Sequence, residues 1–130
     1  MAKIDQVWFT SSFFQVEPGE DEQVNPGIYG KALAHWVADQ LRARGVTVTD
    51  VFPEDWGWCV MVNGYPFSLW VGCGNEDGSK TRWHLFPASE RGVFQRLFKT
   101  VDTGPAINEL KNHIAEIVKL IPDVRDVVWE

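Results

Sequence analysis

The pair Asn63-Gly64 constrains this chain more than any other two residues. It stands between two β-rich runs, and both residue types accept the positive φ that a tight hairpin needs. A two-residue turn there predicts Val62 opposite Tyr65, Val60 opposite Phe67, Trp58 opposite Leu69 and Trp56 opposite Val71. Strand alternation then puts these bulky residues on one face, taken as the core side, and Gly57, Cys59, Met61, Ser68, Trp70 and Gly72 on the other. A further run, Thr81 to Phe86, returns after the turn signals of Asn75 to Ser79. A two-residue Asp77-Gly78 turn sends Trp83 and Leu85 to the side of Trp70. A three-residue loop sends Arg82 and His84 there instead, and is preferred because it keeps ionisable groups out of the core.

The remaining segments complete an α+β pattern. Val7 to Val16 reads as a first strand and Glu17 to Gln23 as an acidic connector. Asn25-Pro26 predicts a helix start and Gly45 its end, with Ile28, Tyr29, Ala32, Leu33, Trp36 and Val37 as the buried stripe and Lys31, Ala34, Ala38 and Arg42 on the wet side. Val46 to Phe52 alternates as a strand. Ser89 caps a short helix over Glu90 to Lys99, Gly104-Pro105 opens a longer one that Pro122 stops, and Val124 to Trp129 closes the chain as a strand. The expectation is one soluble domain over 1–130. Its sheet is antiparallel or mixed, of about five to six strands, with two long helices and one short helix, in the order β-α-β-β-β-β-α-α-β.

Composition narrows the function classes. Seven Trp and eight Phe exceed what an ordinary core of this size requires, so some of them serve either an aromatic core or a surface meant for a partner. A net charge of −6 without clustered Lys or Arg argues against nucleic acid and anionic membranes and fits a basic protein partner, although mild acidity also simply keeps a small protein in solution. The start MAKIDQVWF has no secretion signal and no stretch approaches a membrane span. With two cysteines, this predicts a cytoplasmic location.

Motifs for chemistry are sparse. Cys59 and Cys73 fall on opposite faces of the hairpin, which opposes a disulfide, and no CxxC, HExxH or His/Cys cluster has metal spacing, so no metal or cofactor is expected. His35 with Asp39 and Glu109 with His113 read as surface pairs one helical turn apart. His84, beside Trp70, is the one histidine placed on the sheet, where a structural role is the ordinary reading. Glu54 and Asp55 are adjacent on an extended run, so they cannot share a substrate as a glycosidase pair does. They form either an acidic lip for a basic partner or a polar turn. Gly72-Cys73-Gly74 leads into an acidic turn rather than a helix, so it is no phosphate cradle.

The helix run from Pro26 to Trp36, then Gly45, Pro53-Glu54-Asp55-Trp56-Gly57-Trp58 and Leu69-Trp70-Val71-Gly72, resembles a pattern in small uncharacterised bacterial proteins. The resemblance covers about residues 26 to 74 and implies a bacterial source and a cytoplasmic location, but no activity, ligand or catalytic residue.

The functional expectation is a non-catalytic binding protein, an inhibitor, immunity or accessory protein. Its partner patch is Trp70, Met61, Trp8, His84 and Arg82, with Glu54 and Asp55 as the acidic lip. Pairing of this patch with itself in a homodimer is a variant of that reading. The alternative is a small-molecule binder or modest enzyme with a pocket between sheet and helices, lined by Trp36, Trp56, Trp58 and Phe67.

Overall fold

A computed structural model gives the structure of the protein and describes residues 5–65, 67–90 and 103–130. Its strands are β1 (Val7–Thr10), β2 (Val48–Glu54), β3 (Gly57–Val62), β4 (Ser68–Asn75), β5 (Arg82–Glu90) and β6 (Arg125–Trp129). Helix α1 spans Lys31–Ala43 and α2 spans Gly104–Val118, with a 3-10 turn at Glu20–Gln23. The strands form a single six-stranded sheet in the order β2-β3-β4-β5-β1-β6, antiparallel throughout, so the chain is α+β. Both helices pack on one face, α1 over β2 and β3, α2 over β5 and against α1. Between helices and sheet lies one apolar cluster that includes Phe9, Leu33, Val60, Val71, Trp83 and Ile114.

Several predicted boundaries move, each for a local reason. The first strand stops at Thr10. Beyond it the backbone leaves the sheet: the Ser11 carbonyl accepts from Trp83 Nε1 at 3.1 Å and the Ser11 hydroxyl donates to Pro122 O at 2.8 Å. Helix α1 begins at Lys31 rather than at Asn25-Pro26, because Gly27 and Gly30 adopt φ of 80° and 144° and keep that stretch out of the helix. Asn25 instead donates through Nδ2 to Asp55 O at 2.7 Å. The helix start is capped from a distance by the buried Glu20, whose Oε2 accepts from the amides of Gly30 at 3.0 Å and Lys31 at 3.2 Å. A carboxylate there satisfies otherwise orphaned donors and complements the positive end of the helix dipole. The buried stripe is also rotated from expectation. Ala34 and Ala38 lie in the core with Leu33, Val37 and Leu41, not on the wet side, and their small side chains let the helix lie close to the sheet.

The tight hairpin is not where Asn63-Gly64 suggested. Glu54 pairs with Gly57, so Asp55 and Trp56 form the two-residue turn between β2 and β3, and the Gly57 φ of 153° completes it. The β3–β4 connection runs from Asn63 to Phe67, and Val62 pairs with Leu69 instead of Tyr65. That displacement of four residues (69 minus 65) is even, so alternation is preserved: Val60, Val62, Leu69 and Val71 face the helices, and Met61 and Trp70 face away. Strand β5 pairs Asn75 with Trp83, putting Trp83 and Leu85 in the core and Arg82 and His84 on the outer side. It also runs on through Pro87 to Glu90. Among the described residues β1 pairs with β5 only from Arg82 to Leu85, so Pro87 has a strand partner on the β4 side alone. Ser89 and Glu90 therefore belong to a strand; the rest of the expected short helix lies outside the described residues.

Candidate aromatic docking face

The outer face of the sheet, away from both helices, carries a connected set of rings. Trp8 on β1 and His84 on β5 are cross-strand partners and stack at 4.4 Å with 18° between planes. His84 stacks in turn on Phe86 at 5.7 Å and 20°, and Phe86 meets Trp56 at 5.3 Å. The rings can lie flat because β4 offers glycine beneath them: Gly72 is paired with Phe86 and Gly74 with His84, and a Cβ on either would overlap the ring above it. These glycines let side chain and backbone approach closely.

Next to Trp56 the face sinks into a pocket of about 320 Å³ walled by Phe52, Glu54, Trp56, Met61 and Trp70, with Cys59 and Ser68 completing its lining. Phe52 and Glu54 share this face because alternation along β2 pairs them with Cys59 and Gly57. Trp56 is 39% exposed, and Trp70 is half-buried with its indole N–H making no hydrogen bond among the described residues. Glu54 has no ion-pair or hydrogen-bond partner among the described residues, and Asp50 lies further along β2 on the same face.

Burial holds the two best-placed ionisable groups in their neutral forms. The Cys59 thiol is pushed up to about 12, first by burial and then by the negative fields of Glu54 and Asp50, so it stays protonated. His84 is held down to about 4 by burial, which keeps it neutral near pH 7, and its Nδ1 is buried without a partner among the described residues. Cys73 is fully buried in the core on the opposite side of the sheet from Cys59, its thiol also pushed up by burial, and both cysteines are free. Among the described residues no group of three His, Cys, Asp or Glu side chains could hold a metal ion.

The structure thus brings Trp70 and Met61 together as a cross-strand pair, and Trp8 and His84 as another, on one face. Arg82 shares that face but is committed elsewhere: its Nη1 donates to Thr10 Oγ1 at 3.1 Å and to Asp126 O at 2.8 Å, pinning the bulge in β6 where Asp126 has φ of 53°. Glu54 reaches the pocket, whereas Asp55 belongs to the turn. Trp56, Phe52 and Phe86 were missed as patch residues. The parity that placed His84 would have found Phe86, and alternation in β2 would have found Phe52. Trp56 required the true position of the turn.

The four residues expected around the alternative pocket do not share one side of the sheet. Trp58 is buried in the core, Trp36 packs on Phe14 at 5.7 Å, Phe67 stacks on Tyr65 at 5.7 Å, and Trp56 lies on the other side of the sheet. Asp39, Glu109 and His113 take partners other than the expected ones, Asp39 within its own helix and the other two across the fold. Arg44 Nε donates to His113 Nδ1 at 2.9 Å, Tyr65 donates to Glu109 at 3.3 Å, and Asp39 pairs with Arg42 at 3.5 Å. Among the described residues no helix is long and apolar enough to cross a membrane.

The class these observations define is an α+β protein with a six-stranded antiparallel sheet, helices on one face and aromatic side chains across the other. No protein-family model, curated protein or solved structure matches the chain.

Proposed function

We propose that this is a non-catalytic binding protein that docks a protein partner on the outer face of its sheet. The observation that carries the reading is the continuous aromatic surface from Trp8 through His84 and Phe86 to Trp56, ending at the Trp70 pocket, on the face opposite α1 and α2. Large aromatic side chains dominate interface energies because they bury much area at little conformational cost, and a rim that is polar and acidic adds selectivity. The protonated Cys59 thiol and the neutral, stacked His84 support binding over catalysis.

Selection of a displayed random peptide library on the intact protein tests this. Selected peptides are expected to lose about tenfold or more in affinity on Trp70→Ala, a typical cost for a central interface tryptophan. Trp56→Ala, in an exposed turn, serves as the second variant should Trp70→Ala compromise folding, with the urea midpoint as the control for both. A selection without binders, or binders indifferent to both tryptophans, refutes the reading.

A further inference from the structure

The pocket beside Trp56 differs from the rest of the outer face in having a charge. Its walls are the aromatic rings of Phe52, Trp56 and Trp70 together with Met61, and among its described lining residues Glu54 is the sole carboxylate. Asp50 stands on the same face of β2, next to Phe52, and pairs with Met61. Among the described residues no Lys or Arg neutralises either group, and the Arg82 guanidinium is held by Thr10 and Asp126 at the far side of the sheet.

We infer that this pocket takes one cationic side chain, a lysine ammonium or an arginine guanidinium, from a basic segment of a protein partner, with Glu54 as its counter-charge; the inference rests on the docking reading above and specifies its ligand. A cation over an indole or phenyl face is attracted by the ring quadrupole, and a carboxylate at the same site supplies the opposite charge. The volume of about 320 Å³ is at the small end for ligand sites and suits a single side chain more than an extended molecule. The field that would meet the cation is already felt inside the pocket, since Glu54 and Asp50 both disfavour a thiolate at Cys59. Overall charge of −6 favours the encounter with a basic segment. The same carboxylates disfavour other occupants. A phosphate backbone is repelled, and a two-fold pairing of this face with a second copy brings Glu54 and Asp50 toward like charges.

The test titrates the intact protein with n-butylammonium and n-butylguanidinium, against n-butylurea as the neutral isostere, following tryptophan indole N–H signals by NMR. Trp56→Phe and Trp70→Phe assign the responding signals. Saturable shifts at Trp56 and Trp70 are expected with both cations, with butylurea weaker by about fivefold or more. Glu54→Gln should weaken both cations toward the affinity of butylurea while leaving butylurea itself unchanged. Equal binding of butylurea, an absence of cation binding, or cation affinity indifferent to Glu54→Gln overturns the assignment. The two readings fail separately. Selected peptides that need Trp70, carry no basic residue and ignore Glu54→Gln would leave docking intact and remove the cation, whereas peptides indifferent to both tryptophans remove docking itself.

Discussion

Acidification should destabilise this protein through His84 over a window set by its stacking. The imidazole lies between Trp8 and Phe86, with Gly74 beneath it, and burial lowers its pKa from 6.5 to about 4. The unfolded chain accepts the proton near the ordinary value, while the folded chain resists it. The contribution of this group is therefore complete above about pH 6.5 and is lost as pH falls toward 4. At about 1.4 kcal/mol per pH unit the full loss is about 3 kcal/mol, and about 2 to 3 kcal/mol has gone by pH 4.5. His84→Phe keeps a flat ring in the stack and removes the titration. Urea unfolding of both proteins at pH 7 and pH 4.5 isolates the effect, because the carboxylates titrate alike in each. The wild type should lose about 2 to 3 kcal/mol more than His84→Phe between these pH values. Equal losses would refute a buried, neutral His84, whatever the absolute stabilities.

Two further expectations follow from single contacts. Glu20→Ala removes the acceptor for the amides of Glu17, Gly30 and Lys31 and should cost about 3 kcal/mol by urea denaturation, with Glu20→Gln, which keeps a neutral acceptor, costing less. Gly72→Ala forces a Cβ into the Phe86 ring and should cost about 2 kcal/mol, with a changed near-ultraviolet circular dichroism signal as the Phe86–Trp56 contact shifts; an unchanged midpoint and spectrum would contradict the close packing over Gly72.

Local rules carried further than the register they were attached to. Trp70, Met61, His84 and Arg82 lie on the face expected from alternation even though both hairpin connections are longer than expected, because a strand's side-chain period is two and an even displacement leaves every face unchanged. The amphipathic run after Gly104-Pro105 likewise forms α2, with Leu110, Ile114, Ile117 and Val118 buried as their spacing requires. Helix α1 was less legible. Its alanines look like surface residues on a hydropathy wheel, and only the nearness of β2 and β3 selects the stripe that includes Ala34 and Ala38.

What the amino-acid sequence determined by itself is the alternation of faces, the apolar stripe of α2 and the acidic balance, since each depends on near neighbours in the chain or on composition. The tertiary structure decided the rest. It set β1 between β5 and β6, brought Glu20 to the start of α1, laid Phe86 and His84 over Gly72 and Gly74, and turned Trp56 outward by placing the tight bend at Asp55-Trp56. Those outcomes require segments far apart in the chain to meet, and the energy that selects them resides in packing between strands and helices rather than in the preferences of any one segment.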